Sequence, residues 1–394
     1  MKYYDRAENV FLKAYGRFDI TFDHGKGVHL YDVNNKEYLD FYAGIGVNSF
    51  GYDHPVYCEA LTRQIHRLMH VSNYFNTVEA ISAAEKVTKE TKMDKIFFCN
   101  SGAEATEGAL KLARKYYFLK HGKADSEVIS MNHSFHGRTT GSVKLTGNPH
   151  YQEAFGPLME NVKYGTLNDL SSVESLITDK TAAIIVEPVQ GEGGVNVCSK
   201  EFLQGLRILC DENDIALILD EVQCGMGRTG TIMTYFQYDI MPDILCMAKG
   251  IGAGFPMGAF AARGRFADAM EPGDHGSTYG GNPMAGCACN TVFKILEEER
   301  MLDHVQSVST YLFDKLEKLQ NKHQNIKDVR GLGLMVGIEF DKPVKSLIQE
   351  CLDNGLIMVT AGTNVVRLLP PFIITNEDVD KMIEIFDKAI TKVM

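Results

Sequence analysis

The feature that most constrains this chain is a rhythm in its middle, where short runs that are apolar throughout alternate with longer amphipathic segments. The runs are KIFFC (95–99), EVISM (127–131), AAIIVE (182–187), ALILD (216–220), DILCMAK (243–249) and MGAFAA (257–262). A strand wetted on one face alternates apolar and polar residues, whereas a strand covered on both faces is apolar along its length. These runs therefore predict a sheet sandwiched between helices, and segments such as 104–120 and 200–213 carry the helical period that those layers require. The pattern is that of a doubly wound α/β domain over residues 55–285.

Outside that block the texture changes. Residues 18–41 read as short strands with turns at HGKG and NNKE, which fits a small antiparallel sheet. Beyond residue 285 come long helical stretches, then DVRGLGLMVGIEF, GLIMV and NVVRLLPPF as strands, and a last amphipathic helix from Asn376. The segments 1–54 and 286–394 are expected to form one smaller α+β domain beside the large one.

Composition removes several classes of function. With 45% hydrophobic and 23% charged residues in 394, the chain has the make-up of a soluble globular protein. Its formal charge of −11 argues against a nucleic-acid surface, which rests on clustered Lys and Arg. The nine cysteines form no C-x-x-C pair, and Cys287-Ala-Cys289 is a poor metal site, so no metal is expected. Cys99, Cys210 and Cys246 sit in apolar runs as small buried hydrophobes, and a reducing cytoplasm is the expected compartment. MKYYDRAENVFLKAYGRF lacks the apolar core of a signal peptide, and no apolar stretch reaches membrane-spanning length.

The stretch ALILDEVQCGMGRTG contains Gly225, Gly227 and Gly230 in the spacing G-x-G-x-x-G. A dinucleotide loop uses such glycines to open a helix, yet TIMTYFQYDIMPD follows without a clean helical period, so a nucleotide-binding oxidoreductase is the weaker reading. A different anion site stands in FFCNSGAEATEGALKLARKYYFLKHG: a strand, a Ser-Gly turn and a helix closed by Gly122. Ser101 caps that helix, Ala105, Ala109, Leu112, Ala113 and Tyr116 form its buried stripe, and the N–H groups of Gly102 and Ala103 are open to an anion. Asp220 and Lys249 each end an apolar run, so a parallel sheet brings them to the same carboxyl edge as the Ser-Gly turn. An anion cradle, a carboxylate and a lysine amine facing one ligand suit pyridoxal 5'-phosphate (PLP): the phosphate takes the helix end, the carboxylate keeps the ring nitrogen protonated, and the lysine meets the aldehyde. Lys249 then doubles as general base, its pKa lowered by desolvation and cationic neighbours.

LDEVQCGMGRTG and AKGIGAGFPMGA together resemble the signature of the class III (subgroup II) PLP-dependent aminotransferases. NSGAEATE, SFHGRT, VEPVQGEGG, HGSTYGGNP and VVRLLPPF follow in the family's order and extend the resemblance over nearly the whole chain. It implies the fold type I architecture, α/β, with a mostly parallel seven-stranded sheet in the large domain, and an enzyme that is a homodimer with shared active sites. It further implies that Gln223 bonds the ring's phenolic oxygen, Phe135 stacks on the ring, and Thr278 reaches the phosphate of the neighbouring subunit. Arg138 is implied to hold the carboxylate distant from the reacting carbon, Arg367 the α-carboxylate of 2-oxoglutarate, Glu192 to mask Arg367 for an ω-amino donor, and Ser277 to join the substrate site. Where ornithine-using members carry a tyrosine, Gly44 leaves room for an acyl group, although it also suits a backbone turn. The expected reaction is transfer of the δ-amino group of N-acetylornithine to 2-oxoglutarate, giving N-acetylglutamate 5-semialdehyde and glutamate, a step of arginine biosynthesis. Ornithine, N-succinylornithine, N-succinyl-diaminopimelate and 4-aminobutyrate are the alternative donors, and a PLP-binding protein without transamination is the alternative of another class. Thr106, Gly108 and Tyr52 depart from the residues common in relatives, and Gly108 weakens its helix by up to about 1 kcal/mol.

Overall fold

The computed structural model describes residues 2–394. Its large sheet has seven strands in the spatial order Lys95–Cys99, Gly258–Ala262, Ile244–Ala248, Ala216–Asp220, Thr181–Val186, Glu127–Met131, Val162–Gly165. All run parallel except Gly258–Ala262, which is antiparallel to both of its neighbours. Each apolar run of the sequence is a strand, and Thr181–Val186, Ala216–Asp220 and Ile244–Ala248 are buried residue by residue because helices cover both faces. Val162–Gly165 was not among the apolar runs. It lies at the sheet's edge, where one flank has no partner strand, and its VKYG sequence is only half buried.

Helix Gly102–His121 packs on strands Gly258–Ala262 and Ile244–Ala248. Ser101 Oγ accepts the Glu104 N–H at 3.2 Å, and Gly122 ends the helix at φ 66°. The buried stripe includes Tyr117, while Tyr116 is only partly buried, a shift of one residue from the expected pattern. Gly108 is not a flaw in this helix. A Cβ there would lie 2.2 Å from Phe260 Cε1, so the glycine admits the ring of the underlying strand. Burying a phenylalanine contributes about 1.5–3 kcal/mol, more than the helix propensity that the glycine forfeits.

The chain ends meet in two small sheets. Phe22–Lys26, His29–Asp32 and Glu37–Asp40 form the antiparallel unit expected for the amino-terminal segment, and Leu356–Ile357 from the carboxyl-terminal segment extends it in parallel. Ile326–Leu332, Met335–Phe340, Val365–Leu368 and Val359–Ala361 form the second sheet, and helix Asn376–Val393 follows, capped by Thr375. After Asp40 the backbone makes an unusual turn: Ala43, Gly44, Ile45 and Gly46 have φ of 48°, 61°, 68° and 71°. Left-handed conformations are costly for a β-branched residue, so Ile45 is held there by its surroundings, among them Leu369 and Cys224.

Candidate active site

In a mostly parallel sheet the loops beyond the carboxyl ends of the strands gather in one crevice. Here that crevice is a cavity of about 460 Å³ walled by Ser101, Gly102 and Ala103 after one strand, Phe135 to Arg138 after a second, Glu187 after a third, Asp220, Val222 and Gln223 at the end of a fourth, and Lys249 after a fifth. The reversed strand enters from the same edge, and Pro256 and Met257 complete the wall. The first-turn N–H groups of Gly102 and Ala103 have no carbonyl within the helix to bind. A Cβ on Gly102 would meet Val222 Cγ1 at 2.9 Å, so glycine is what lets this helix start reach the loop that follows Asp220.

Asp220 is buried, accepting the Val222 N–H at 3.0 Å and holding His136 Nδ1 at 2.7 Å. Glu187, buried and also on the cavity wall, accepts the Phe135 N–H at 2.8 Å and the Gly191 N–H at 3.1 Å. Burial pushes the Glu187 carboxyl up to about 7, with the charge of Asp220 adding and that of His136 opposing. Burial depresses the His136 imidazole, but the hydrogen bond and charge of Asp220, helped by Glu187, outweigh it and raise the group above the usual histidine range. Asp220 is thus fixed in place by the Val222 N–H and the His136 ring.

Lys249 sits at φ 49° and lines the cavity; its carbonyl accepts the N–H groups of Gly252 and Ala253, whereas its amine forms no hydrogen bond or ion pair among the described residues. Desolvation pushes its amine below the usual lysine range, aided by Arg367 and opposed by Glu192, Asp220 and Glu187. A desolvated amine without an ion-pair partner is poised to act as a nucleophile and base.

Two arginines are held differently: Arg138 lines the cavity, and Arg367 adjoins it through Gln223. Arg367, 2% exposed on strand Val365–Leu368, donates through Nη1 to Glu192 Oε1 at 2.6 Å and to Gln223 Oε1 at 3.0 Å. Burial alone would raise the Glu192 carboxyl, but the Arg367 charge and hydrogen bond hold it below the usual range, with Lys249 and Gln223 contributing. Arg138 is exposed on the cavity wall, its guanidinium 3.7 Å from the Tyr151 ring centroid and 5.2 Å from that of Phe135. Ser277 Oγ accepts from Asn100 Nδ2 at 3.2 Å and from the Gly280 N–H at 2.9 Å, and Thr278 is exposed and not part of this chain's own cavity wall. Gly44 does not itself line the cavity, and neither do Glu192, Arg367, Ser277 or Thr278, whereas Val47 of the Gly44 segment does. The φ of 61° at Gly44 suits a glycine in a backbone turn, although Ala43 and Ile45 share that conformation.

A family model described as Aminotransferase class-III matches residues 11–390 of the chain. The chain belongs to the class-III aminotransferases. Its relatives include a protein named acetylornithine aminotransferase from Clostridium acetobutylicum, 47% identical over 98% of this chain and 100% of that one. A succinylornithine transaminase from Salmonella typhimurium is 42% identical over 90% and 88% of the two chains. Among solved structures, an ornithine aminotransferase from Toxoplasma gondii superposes with a TM-score of 0.95 at 30% identity, covering 99% of this chain and 94% of that one.

The cavity of this class-III aminotransferase fits PLP, the family's cofactor. Free N–H groups at the helix start suit the phosphate, buried Asp220 suits a protonated ring nitrogen, and the unpaired Lys249 amine suits the aldehyde. Motif reasoning passed over His136, Glu187 and Tyr151. His136 was inside the quoted SFHGRT, and Glu187 ends an apolar run just as Asp220 does, so position at the sheet edge was the available signal. Tyr151 lies in a stretch with no motif, and only the folded chain brings it to Arg138.

Proposed function

We propose that this enzyme moves the δ-amino group of N-acetylornithine to 2-oxoglutarate, giving N-acetylglutamate 5-semialdehyde and glutamate. The observation that carries the reading is the pairing of two guanidiniums in opposite states. Arg367 is masked by Glu192 at 2.6 Å and tied to Gln223, while Arg138 stands open beside two aromatic rings. A donor whose reacting amine is remote from its carboxylate needs one cationic contact, at Arg138. A dicarboxylate acceptor needs a second, which Arg367 supplies once Glu192 yields. The 47% identity to an acetylornithine aminotransferase supports the acyl donor, and the succinylornithine relative makes a longer acyl group the second reading.

PLP, when bound, supplies an aldehyde for the amino group and a ring that accepts the electrons of a broken C–H bond. Ser101, Gly102 and Ala103 would hold its phosphate, Phe135 its face, Gln223 its phenolic oxygen, and Asp220 its ring nitrogen. His136 orients the Asp220 carboxylate through the 2.7 Å contact. Lys249 Nζ removes and returns the proton at the substrate's reacting carbon. Thr278 and Ser277, on a loop presented to solvent, are assigned to the site that a second copy completes. Support for that homodimer is the apolar surface around them, where Tyr74 is 94% and Tyr279 62% exposed. No helix among the described residues is long and apolar enough to cross a membrane, and the unpaired state of all nine cysteines supports a cytoplasmic setting.

The test is the visible spectrum of the PLP-loaded enzyme on adding N-acetylornithine without an oxo acid. Loss of the bound cofactor's visible band, faster than with N-succinylornithine, ornithine or 4-aminobutyrate, is expected. Faster loss with another of these amines reassigns the donor, and loss that survives in Lys249→Ala at the wild-type rate removes Lys249 as the base.

A further inference from the structure

Arg138 stands immediately before a short helix, Thr140–Leu145, whose start is held by a residue from elsewhere. The first N–H groups of a helix need acceptors, and a threonine at the cap usually supplies one from its own hydroxyl. Thr139 does not. Its hydroxyl donates to Glu107 Oε1 at 2.6 Å, and that same oxygen accepts the N–H of Gly141 at 3.0 Å and of Ser142 at 3.2 Å. The carboxylate of one helix thus caps another, where its charge also meets the positive helix end.

The socket is shaped for this carboxylate. A Cβ on Gly141 would come within 2.4 Å of Glu107 Oε2, while the backbone of Gly141 lies outside the left-handed region, so close approach rather than turn geometry explains the glycine. One residue earlier, Thr106 Oγ1 donates to the His136 carbonyl at 2.7 Å, and a Cβ on Gly137 would meet Ala103 Cβ at 2.8 Å. The helix that opens at Gly102 therefore fixes the backbone on both sides of Arg138. Arg138 itself has no ion pair among the described residues, only the faces of Tyr151 and Phe135, so its backbone decides where its guanidinium reaches.

We propose that Glu107 is a positioning residue that sets Arg138 for the distal carboxylate of the substrate. The proposal rests on the role given to Arg138 above. A guanidinium binds a carboxylate through two parallel N–H···O bonds, a geometry with little tolerance for misplacement. Loss of the cap lets the start of the short helix and the preceding residue drift. The expected signature is selective: weaker use of dicarboxylate acceptors, with the cofactor's surroundings intact.

The experiment compares kcat and KM of the PLP-loaded enzyme for 2-oxoglutarate and for pyruvate, a 2-oxo acid without the distal carboxylate. Glu107→Ala and Gly141→Ala should each lower kcat/KM for 2-oxoglutarate by about tenfold or more, chiefly through KM, the scale of a lost charge-assisted contact. Pyruvate should change by less than about twofold, and the visible spectrum should be unaltered. Glu107→Gln, whose amide oxygen still accepts hydrogen bonds, should recover most of the loss, and Glu107→Ala should add little to Arg138→Gln. Gly141→Ala carries the test if Glu107→Ala fails to fold. An equal fall on both acceptors would mean fold support only and overturns the proposal. Unchanged discrimination in the Glu107 and Gly141 variants, with Arg138→Gln losing it, overturns this proposal alone, whereas Arg138→Gln that still discriminates overturns the reading beneath it as well.

Discussion

At Arg367 the decisive matter is which partner its guanidinium takes. A buried arginine left without an acceptor is strongly destabilising, so Glu192 and Gln223 hold it, and the proposed reaction requires a substrate carboxylate to replace one of them. Glu192→Gln removes the charge that competes with that carboxylate. We expect kcat/KM for α-amino donors such as L-glutamate to rise and that for N-acetylornithine to fall, each by about tenfold, in steady-state assays with both donors. No change in their ratio would show that Glu192 plays no part in choosing the donor.

A second residue-scale prediction concerns pH. Glu221 is fully buried, and desolvation raises its carboxyl to about 7 although the Thr234 and Tyr235 N–H groups bond it at 2.6 and 2.8 Å. Its ordinary value of 4.5 applies in the unfolded chain. Between these limits the native state holds a proton that the unfolded state has lost, so this group's contribution to stability is present at low pH and lost as pH rises through the folded value. Glu221→Gln should therefore flatten the fall in urea-measured stability between pH about 4.5 and about 7. A slope identical to wild type would mean that Glu221 is ionised throughout.

At the scale of elements, Gly108 ties a helix to a strand. Alanine there would gain up to about 1 kcal/mol of helix propensity in isolation, yet its Cβ would lie 2.2 Å from Phe260 Cε1. Overpacking of this kind costs about 1–3 kcal/mol, so Gly108→Ala should lower the urea midpoint with the transition slope unchanged. A higher midpoint would show that the Phe260 ring moves aside freely. The same contact shows why the sequence was legible in one direction only. Apolar periodicity marked the helix and the strand separately, but the reason for the glycine lies in the other element. Tyr116 and Tyr117 both fit the period, and only the fold shows that Tyr117 is buried while Tyr116 packs half-buried against the core under this helix. The edge strand Val162–Gly165 escaped because half-buried strands lack the apolar signature. At Gly44 a glycine that makes room and a glycine that makes a turn are spelled alike, and its φ of 61° shows that the turn is there.

At the scale of the whole molecule, the assignment of Thr278 to a neighbouring copy has a direct test. Thr278→Asp should cripple both sites of its own dimer by repelling phosphate, and Lys249→Ala should do so by removing the amine. In a mixed dimer, the subunit that keeps Lys249 receives an intact Thr278 from its partner. Random reassociation of the two inactive proteins should regain about a quarter of wild-type activity, since half the dimers are mixed and one site in each is whole. If activity stays at the level of the parents, Thr278 serves its own chain and the shared site is wrong.

By itself the sequence determined the layered architecture, because strands covered on both faces must be apolar throughout, and it marked Ser101, Asp220 and Lys249, because residues ending such strands gather at one edge. Only the tertiary structure decided the partners: His136 behind Asp220, Glu192 on Arg367, Tyr151 under Arg138 and Glu107 at the start of the helix that follows it. Strand and helix periods are local properties of the chain, whereas a hydrogen bond between residues 175 positions apart, as for Glu192 and Arg367, exists only once the intervening chain has folded.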